Sequence, residues 1–427
     1  MKKFTSIFTC ALTSSILIGS PASPFQHRQH VNNIVLTKDS SRIHKILDTI
    51  SNPGVNQQDK KNVPAANKSF LEIIKNKVES TSSTPFDKSF RIVQFGDSHT
   101  AGDFFSERMR AHLQAQFGNA GIGWILPFSV PGQRTAQYSL QSNGSWQTYY
   151  QKGRSSRQIL PFGGYLATGN QGSSLSVASS SGALQNAQLI KFSVLARSAS
   201  NSPSAISLST NVLSTEVIQI GREWRVYSKV FDALTSKTFR LDVLNGKAEI
   251  AALYLDSDAP GVTYEAVGRN GSELKMQNYW STESFKALFK NRTIDMIVFA
   301  YGTNEAVDNI STVEYLQILR QRIDEIRKFN ISAPIVLITV PSFAQGPTSS
   351  CRQPASLRPI HDAQVSVATL YSNVYVWSWL EAMGGHCSVS DWALNGYVAR
   401  DWIHFSASGY RKSADLFYQW FTLLKAN

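Results

Sequence analysis

The sequence predicts an α/β fold: a parallel-sheet domain interrupted by an inserted all-β sandwich. Two observations predict it. Near residue 90, and again after Tyr264, short apolar runs alternate with helical patterns, the rhythm of a parallel sheet with crossover helices. Between about Ser145 and Leu255 that rhythm stops, and short alternating runs recur with turn residues between them and no convincing helix, the signature of a sandwich. A chain of 427 residues has room for two or three such units.

The elements follow in order. MKKFTSIFTCALTSSILIGSPAS opens the chain, with Lys2 and Lys3 ahead of a mixed apolar stretch, Phe4 to Ile18, and small residues at Ser20-Pro21-Ala22. This reads as a signal peptide over 1–22, and its short apolar core, broken by Ser and Thr, is unsuited to spanning a bilayer. Residues 23–88 are polar and weakly patterned, with short helices expected near Ser41–Ile50 and Lys68–Glu79 and a linker at Ser80–Pro85. RIVQF (Arg91–Phe95) is a strand and Phe104–Phe117 a helix, placing the first part of the α/β unit at 89–126.

The insert is expected over 127–261. Its strands are Leu189–Ala196, Ala205–Thr210, Thr215–Ile220, Trp224–Phe231, Thr238–Leu244 and Glu249–Leu255. Residues 262–427 resume the α/β unit. Strands are expected at Ile294–Gly302, Ala333–Pro341 and Asn373–Trp379. Helices are expected at Val313–Phe329, with Leu316, Leu319, Ile323 and Ile326 on one stripe, at Ile360–Leu370 and at Ala407–Leu424.

The formal charge is +12, or 12 − 2 = +10 without Lys2 and Lys3. A basic exported chain suits an anionic wall polymer or membrane surface, and diffuse charge for solubility explains it equally well. No dense Lys/Arg run points to nucleic acid, and export argues against that partner. Beyond the signal no stretch is long and apolar enough for an integral membrane span. Cys10 lies inside the signal, which leaves Cys351 and Cys387. In an exported chain they can form one disulfide, although sequence alone leaves their distance open.

Four segments near strand ends carry the chemistry: Gly96-Asp97-Ser98-His99, Gly268-Arg269-Asn270-Gly271, Gly302-Thr303-Asn304-Glu305 and Asp401-Trp402-Ile403-His404. Acyl transfer by serine needs a base, an acid to orient it, and donors for the oxyanion. Ser98 is the candidate nucleophile, His404 the base and Asp401 its orienter, since a turn of three residues lets the carboxylate reach back to Nδ1–H. The Ser98 and Gly271 backbone N–H groups and the Asn304 amide are the candidate oxyanion donors.

These blocks, GDS, G-x-N-G, GTNE and D-x-x-H in this order, resemble those of the SGNH (GDSL-type) hydrolases. The resemblance covers roughly 89–126 and 262–427 and implies a three-layer α/β/α sheet, catalytic Ser98 and His404 with Asp401, and oxyanion donors at Gly271 and Asn304. FGDSHTAGD, PGVTYEAVGRNGS and YGTNEA, with a β insert between the first two, resemble the bacterial peptidoglycan O-acetylesterases more closely. That resemblance implies a jelly-roll-like insert similar to a carbohydrate-binding module and an O-acetylated peptidoglycan substrate. It also implies removal of acetyl from the C6 hydroxyl of N-acetylmuramic acid, and a place in the periplasm or envelope. Arg269 and Ser272 depart from the apolar residue and Ala expected in the second block, which bears on substrate preference more than on chemistry.

Each residue also has a plainer role. Ser98 can be a helix cap, Gly271 a turn glycine, Asn304 a loop tie, and D-x-x-H a cap plus a core histidine. Asp97 is expected to cap or brace its turn and Glu305 to pair locally. No cofactor or metal is expected. Asp97, His99, Asp103, Asp401 and His404 can be read as metal ligands, but the serine and two donors would then lack purpose. His386-Cys387 suggests a catalytic pair, yet adjacent residues point apart in most local structures, and a disulfide or a buried thiol is the plainer reading. Trp146, Tyr149 and Tyr150 suit sugar stacking or packing. Two further functions are an O-acetyltransferase using the same acyl-enzyme and a non-catalytic wall-glycan-binding protein. The oligomeric state is left open.

Overall fold

The computed structural model describes residues 68–426, apart from 83, 85, 152–156, 212–215, 330–331 and 347–350. The predicted signal peptide and the helix predicted at Ser41–Ile50 lie outside the described residues.

Helix α1 (Phe70–Val78) starts at a capping box in which Ser69 and Glu72 satisfy each other's backbone N–H. Strand β1 (Ser89–Gly96) is buried at every position, as a parallel strand covered on both faces must be. Two helices follow at once, α2 (Ser98–Ala101) and α3 (Phe104–Phe117). Next come the antiparallel strands. They are β2 (Gly121–Ile125), β3 (Tyr138–Asn143), β4 (Trp146–Tyr150), β5 (Tyr165–Asn170), β6 (Ser174–Ser179), β7 (Leu189–Ser198), β8 (Ser204–Thr210), β9 (Glu216–Ile220), β10 (Arg225–Asp232), β11 (Thr238–Asn245) and β12 (Lys247–Ser257). The chain returns with β13 (Gly261–Gly268), α4 (Thr282–Asn291), β14 (Met296–Ala300), α5 (Thr303–Val307), α6 (Thr312–Lys328) and β15 (Ile335–Ile338). It ends with α7 (Leu357–Val367), β16 (Val374–Trp377), α8 (Trp379–Ala382), α9 (Val389–Leu394) and α10 (Ala407–Leu423).

Five strands form one parallel sheet in the order β13-β1-β14-β15-β16. Alternate residues of β1 face opposite sides. Phe90 and Ile92 join Phe70 of α1, Met109 of α3 and Phe417 of α10 in one core. Val93 and Phe95 join Leu288 of α4, Leu319 of α6 and Ile360 of α7 in the other. Helices thus cover both faces, which makes three layers.

The antiparallel strands form two sheets. One is six-stranded, β10-β7-β12-β5-β4 with β2 beside β12, and the other is five-stranded, β3-β6-β11-β8-β9. Phe192, Ile206, Leu208, Phe231, Phe239 and Leu241 are buried in the core here, each worth roughly 1.5–3 kcal/mol in area removed from water.

The sequence reading does not include β13. It pairs in register with β1 along its whole length yet carries Glu265, which argues for solvent until its partner is known. Arg292 donates to both Glu265 and Asp256 of β12, and Arg91 of β1 stands 3.9 Å from Asp256. This buried ion cluster joins the parallel sheet to the sandwich. Removing one member would leave a buried charge without its partner, at a cost of about 3–5 kcal/mol. Among the described residues no helix is long and apolar enough to cross a membrane.

Candidate active site

Strand register brings the distant blocks together. In the parallel sheet Gly96 pairs with Gly268 on one side and Ala300 on the other. The chain segments leaving β1, β13 and β14 therefore emerge side by side at the carboxyl edge, where open α/β folds place their ligands.

Asp97 is the N-cap of α2, and its Oδ1 accepts from the His99 N–H at 2.9 Å. This short helix sets Ser98 at its first position, half-buried. Gly96 is needed because a Cβ there would lie 2.0 Å from Thr100 Oγ1 and 2.8 Å from the Ala300 carbonyl. Asp103 breaks the helix in the left-handed region (φ 53°). Its carboxylate is held there by Ser106, Arg110 and the Ala136 N–H.

His404 arrives on the turn before α10. Its Nε2 is 2.7 Å from Ser98 Oγ, and its Nδ1 is 2.7 Å from Asp401 Oδ2. The other carboxylate oxygen, Oδ1, accepts from the Ile403 N–H at 3.0 Å and the His404 N–H at 2.9 Å. Burial works against the Asp401 charge, but these bonds and the imidazole hold its carboxyl below the ordinary range. With Nδ1–H donating to Asp401, Nε2 is free to accept from the serine hydroxyl. Trp402 completes the turn at φ 63° and its carbonyl accepts from the Ala344 N–H at 3.0 Å.

The predicted oxyanion groups gather at the same edge. Asn304 lies at the start of α5, after Gly302 (φ 124°), and its Nδ2 donates to the Ser272 carbonyl at 2.9 Å and approaches Asp97 Oδ2 at 3.5 Å. It therefore touches both the residue before Ser98 and the residue after Gly271. Gly271 takes φ 69°, a conformation that favours glycine. Among the described residues its N–H has no hydrogen-bond partner. Glu305 accepts from the Gly302 and Leu274 N–H groups. Burial pushes its carboxyl up to about 7, and that of Asp97 up to about 8 against the His99 N–H bond.

His99 is buried between Tyr410 Oη, 2.9 Å from its Nδ1, and the rings of Trp379 and Phe405. Burial pushes its imidazole down to about 3, so it is neutral and packs beside His404, ring centres 5.4 Å apart. Arg269 is buried among Tyr150, Tyr165 and Tyr301, with a guanidinium nitrogen against Met276 sulfur. Cys351 and Cys387 are bonded, Cα atoms 5.6 Å apart. His386 lies beside them, the ligand atoms of all three within 4.8 Å of one another. Trp146 donates to the Asn143 and Ser174 carbonyls and Tyr150 stacks on Tyr165. The sequence reading missed Gln133 and Tyr165, which bond the Gly268 carbonyl. Neither carries a local signal that would have found it.

The contacts of Ser98, His404 and Asp401 are those that acyl transfer by serine requires, and the comparisons with known proteins point to an esterase. Residues 120–231 match the family model described as "Peptidoglycan O-acetylesterase, N-terminal". The chain is also similar to a solved peptidoglycan O-acetylesterase, with 29% identity and a TM-score of 0.70 over 82% of this chain and 93% of that one. Two further solved structures are more distant and carry no argument. A salicylyl-acyltransferase from a tetracycline biosynthetic pathway has 12% identity and a TM-score of 0.31 over 67% of this chain and 97% of its own. A family two carbohydrate esterase from Cellvibrio japonicus has 12% identity and a TM-score of 0.28 over 67% and 98%. No curated protein sequence matches the chain.

Proposed function

We propose that this protein is an exported serine esterase that removes O-acetyl groups from peptidoglycan, at the C6 hydroxyl of N-acetylmuramic acid. The observation that carries the chemistry is the continuous chain of contacts from Ser98 Oγ to His404 and on to Asp401, 2.7 Å at each step. The substrate rests on the likeness to peptidoglycan O-acetylesterases.

Ser98 Oγ attacks the acetyl carbonyl while His404 Nε2 takes its proton. Asp401 holds the imidazole in the competent tautomer and balances the imidazolium. The tetrahedral oxyanion accepts from the Ser98 and Gly271 N–H groups and the Asn304 amide. Collapse expels the sugar oxygen, which takes the proton from His404 and leaves acetyl-Ser98. Water, deprotonated by the same imidazole, then releases acetate and restores the hydroxyl. Each step uses this chain's side chains and backbone N–H groups, water and the ester. We place the N-terminal 22 residues as the export signal, 89–126 with 262–427 as the catalytic unit and 127–261 as the inserted sandwich, whose sheet β2 (Gly121–Ile125) of the first segment joins beside β12.

The test is acetate release from O-acetylated peptidoglycan by the wild type and by Ser98→Ala. The substitution is expected to lower kcat by roughly 10⁴ to 10⁶, on the scale of other serine triads, with the fold intact. Full activity in a folded Ser98→Ala protein would overturn the assignment.

A further inference from the structure

The Gly268 carbonyl is where the sandwich reaches the edge of the parallel sheet. Gly268 ends β13 opposite Gly96. It presses onto α2, since a Cβ there would lie 2.3 Å from the Ala101 nitrogen. Its carbonyl accepts two hydrogen bonds, from Tyr165 Oη at 2.9 Å and from Gln133 Nε2 at 2.9 Å. Gln133 also donates to Tyr165 Oη, which closes a triangle. Tyr165 stands on β5 of the antiparallel sheet, fully buried, and Gln133 lies on the loop between β2 and β3. On the other side of the same peptide unit, the Arg269 N–H donates to the Gly96 carbonyl at 3.1 Å.

The 268–269 peptide plane is thus fixed at both ends, one end by β1 and the other by the sandwich. A peptide is rigid, so this plane sets the direction of the turn it begins. The Asn270 side chain adds a tie from that turn to the Gly132 carbonyl at 3.1 Å, and the Ser272 N–H closes it onto the Arg269 carbonyl at 3.1 Å. The Gly271 N–H leaves between these last two ties.

We propose that Tyr165 and Gln133 are positioning residues for the esterase reaction: through the Gly268 carbonyl the antiparallel sheet aims the Gly271 N–H at the developing oxyanion. This inference rests on Gly271 as an oxyanion donor. A sandwich serving only to anchor the protein on glycan would need neither bond. Gln133 meets only the acceptor side of the Tyr165 hydroxyl, whose own hydrogen goes to the Gly268 carbonyl.

The experiment compares an acetyl oxoester with its thionoester analogue in wild type, Tyr165→Phe and Gln133→Ala. Thiocarbonyl sulfur is large and a poor hydrogen-bond acceptor, so it gains little from fixed donors. Each substitution is expected to lower kcat for the oxoester about tenfold, the scale of a small misalignment, with KM little changed. The thionoester rate should change much less, so the oxo-to-thiono ratio falls. General loosening of the serine and histidine would slow both substrates alike and leave the ratio at its wild-type value, and that result overturns the inference. Gln133 is only half-buried on a loop, so Gln133→Ala decides the matter where Tyr165→Phe does not fold. Full activity in Ser98→Ala sinks the serine mechanism itself. An inactive Ser98→Ala with unchanged ratios sinks only the role of Tyr165 and Gln133.

Discussion

Replacing Asp401 by asparagine should damage the enzyme more than replacing it by alanine. The reason is the division of labour between its two oxygens. Oδ1 accepts two backbone N–H groups, from Ile403 and His404, while Oδ2 faces His404 Nδ1. Asparagine has one oxygen. Turned to the backbone, it keeps both N–H bonds and presents its NH₂ to Nδ1. The imidazole must then carry its proton on Nε2, the atom that has to accept from Ser98. Turned the other way, it leaves two N–H donors facing an NH₂ group, at about 1 kcal/mol each near a surface. The side chain of Asp401 is 51% exposed, so the low end of that range applies. The competent orientation is then held by about one molecule in thirty.

Losing the charge beside the imidazolium costs both variants about two powers of ten, less than in triads whose Asp is buried. Asp401→Ala, where water can take the Nδ1 proton bond, should therefore lose about 10² in kcat, and Asp401→Asn about 10³ to 10⁴. Initial rates on a chromogenic acetyl ester near pH 7.5 (roughly one unit above the ordinary imidazole value) give the comparison. Equal losses, or a greater loss in Asp401→Ala, would refute this account of the turn.

Asn304→Ala should cost about 3 kcal/mol in the transition state, as for one oxyanion donor, read as kcat/KM with the folding midpoint checked, because its amide also ties down Ser272. His99 makes the protein acid-sensitive. Its imidazole titrates near 3 when folded against 6.5 ordinarily. The unfolded chain therefore binds the extra proton first, and stability present above pH 6.5 is lost as pH falls towards 3. Asp97, raised to about 8, acts in the opposite sense. The informative quantity is thus the difference between wild type and His99→Gln in urea midpoint at about pH 7 and about pH 5, which should narrow or reverse on acidification; a difference independent of pH would refute it. Cys351 and Cys387 close a loop of 36 residues, so Cys351→Ser with Cys387→Ser should lower stability by about 3–4 kcal/mol. An unchanged melting temperature would refute that.

Much of the site is local and therefore legible. The Asp97 cap ahead of Ser98 and the Asp401–His404 turn are made by near neighbours along the chain. Strand β7 follows from its apolar run, and α3 buries Phe105, Met109 and Leu113 at helical spacing, whereas β8 is buried throughout, its serines included. Strand β13 was illegible because Glu265 is acceptable there only with Arg292 beside it, 27 residues away.

By itself, then, the sequence determined which residue types stand at each strand end, and with them the kind of chemistry available. Only the tertiary structure decided that Gly96, Gly268 and Ala300 lie in register, that His404 crosses 306 residues to meet Ser98, and that Tyr165 reaches the Gly268 carbonyl. The physical reason is range. Propensity, capping and turn geometry act over a few residues, whereas strand pairing and burial join positions whose separation along the chain leaves no trace in either neighbourhood.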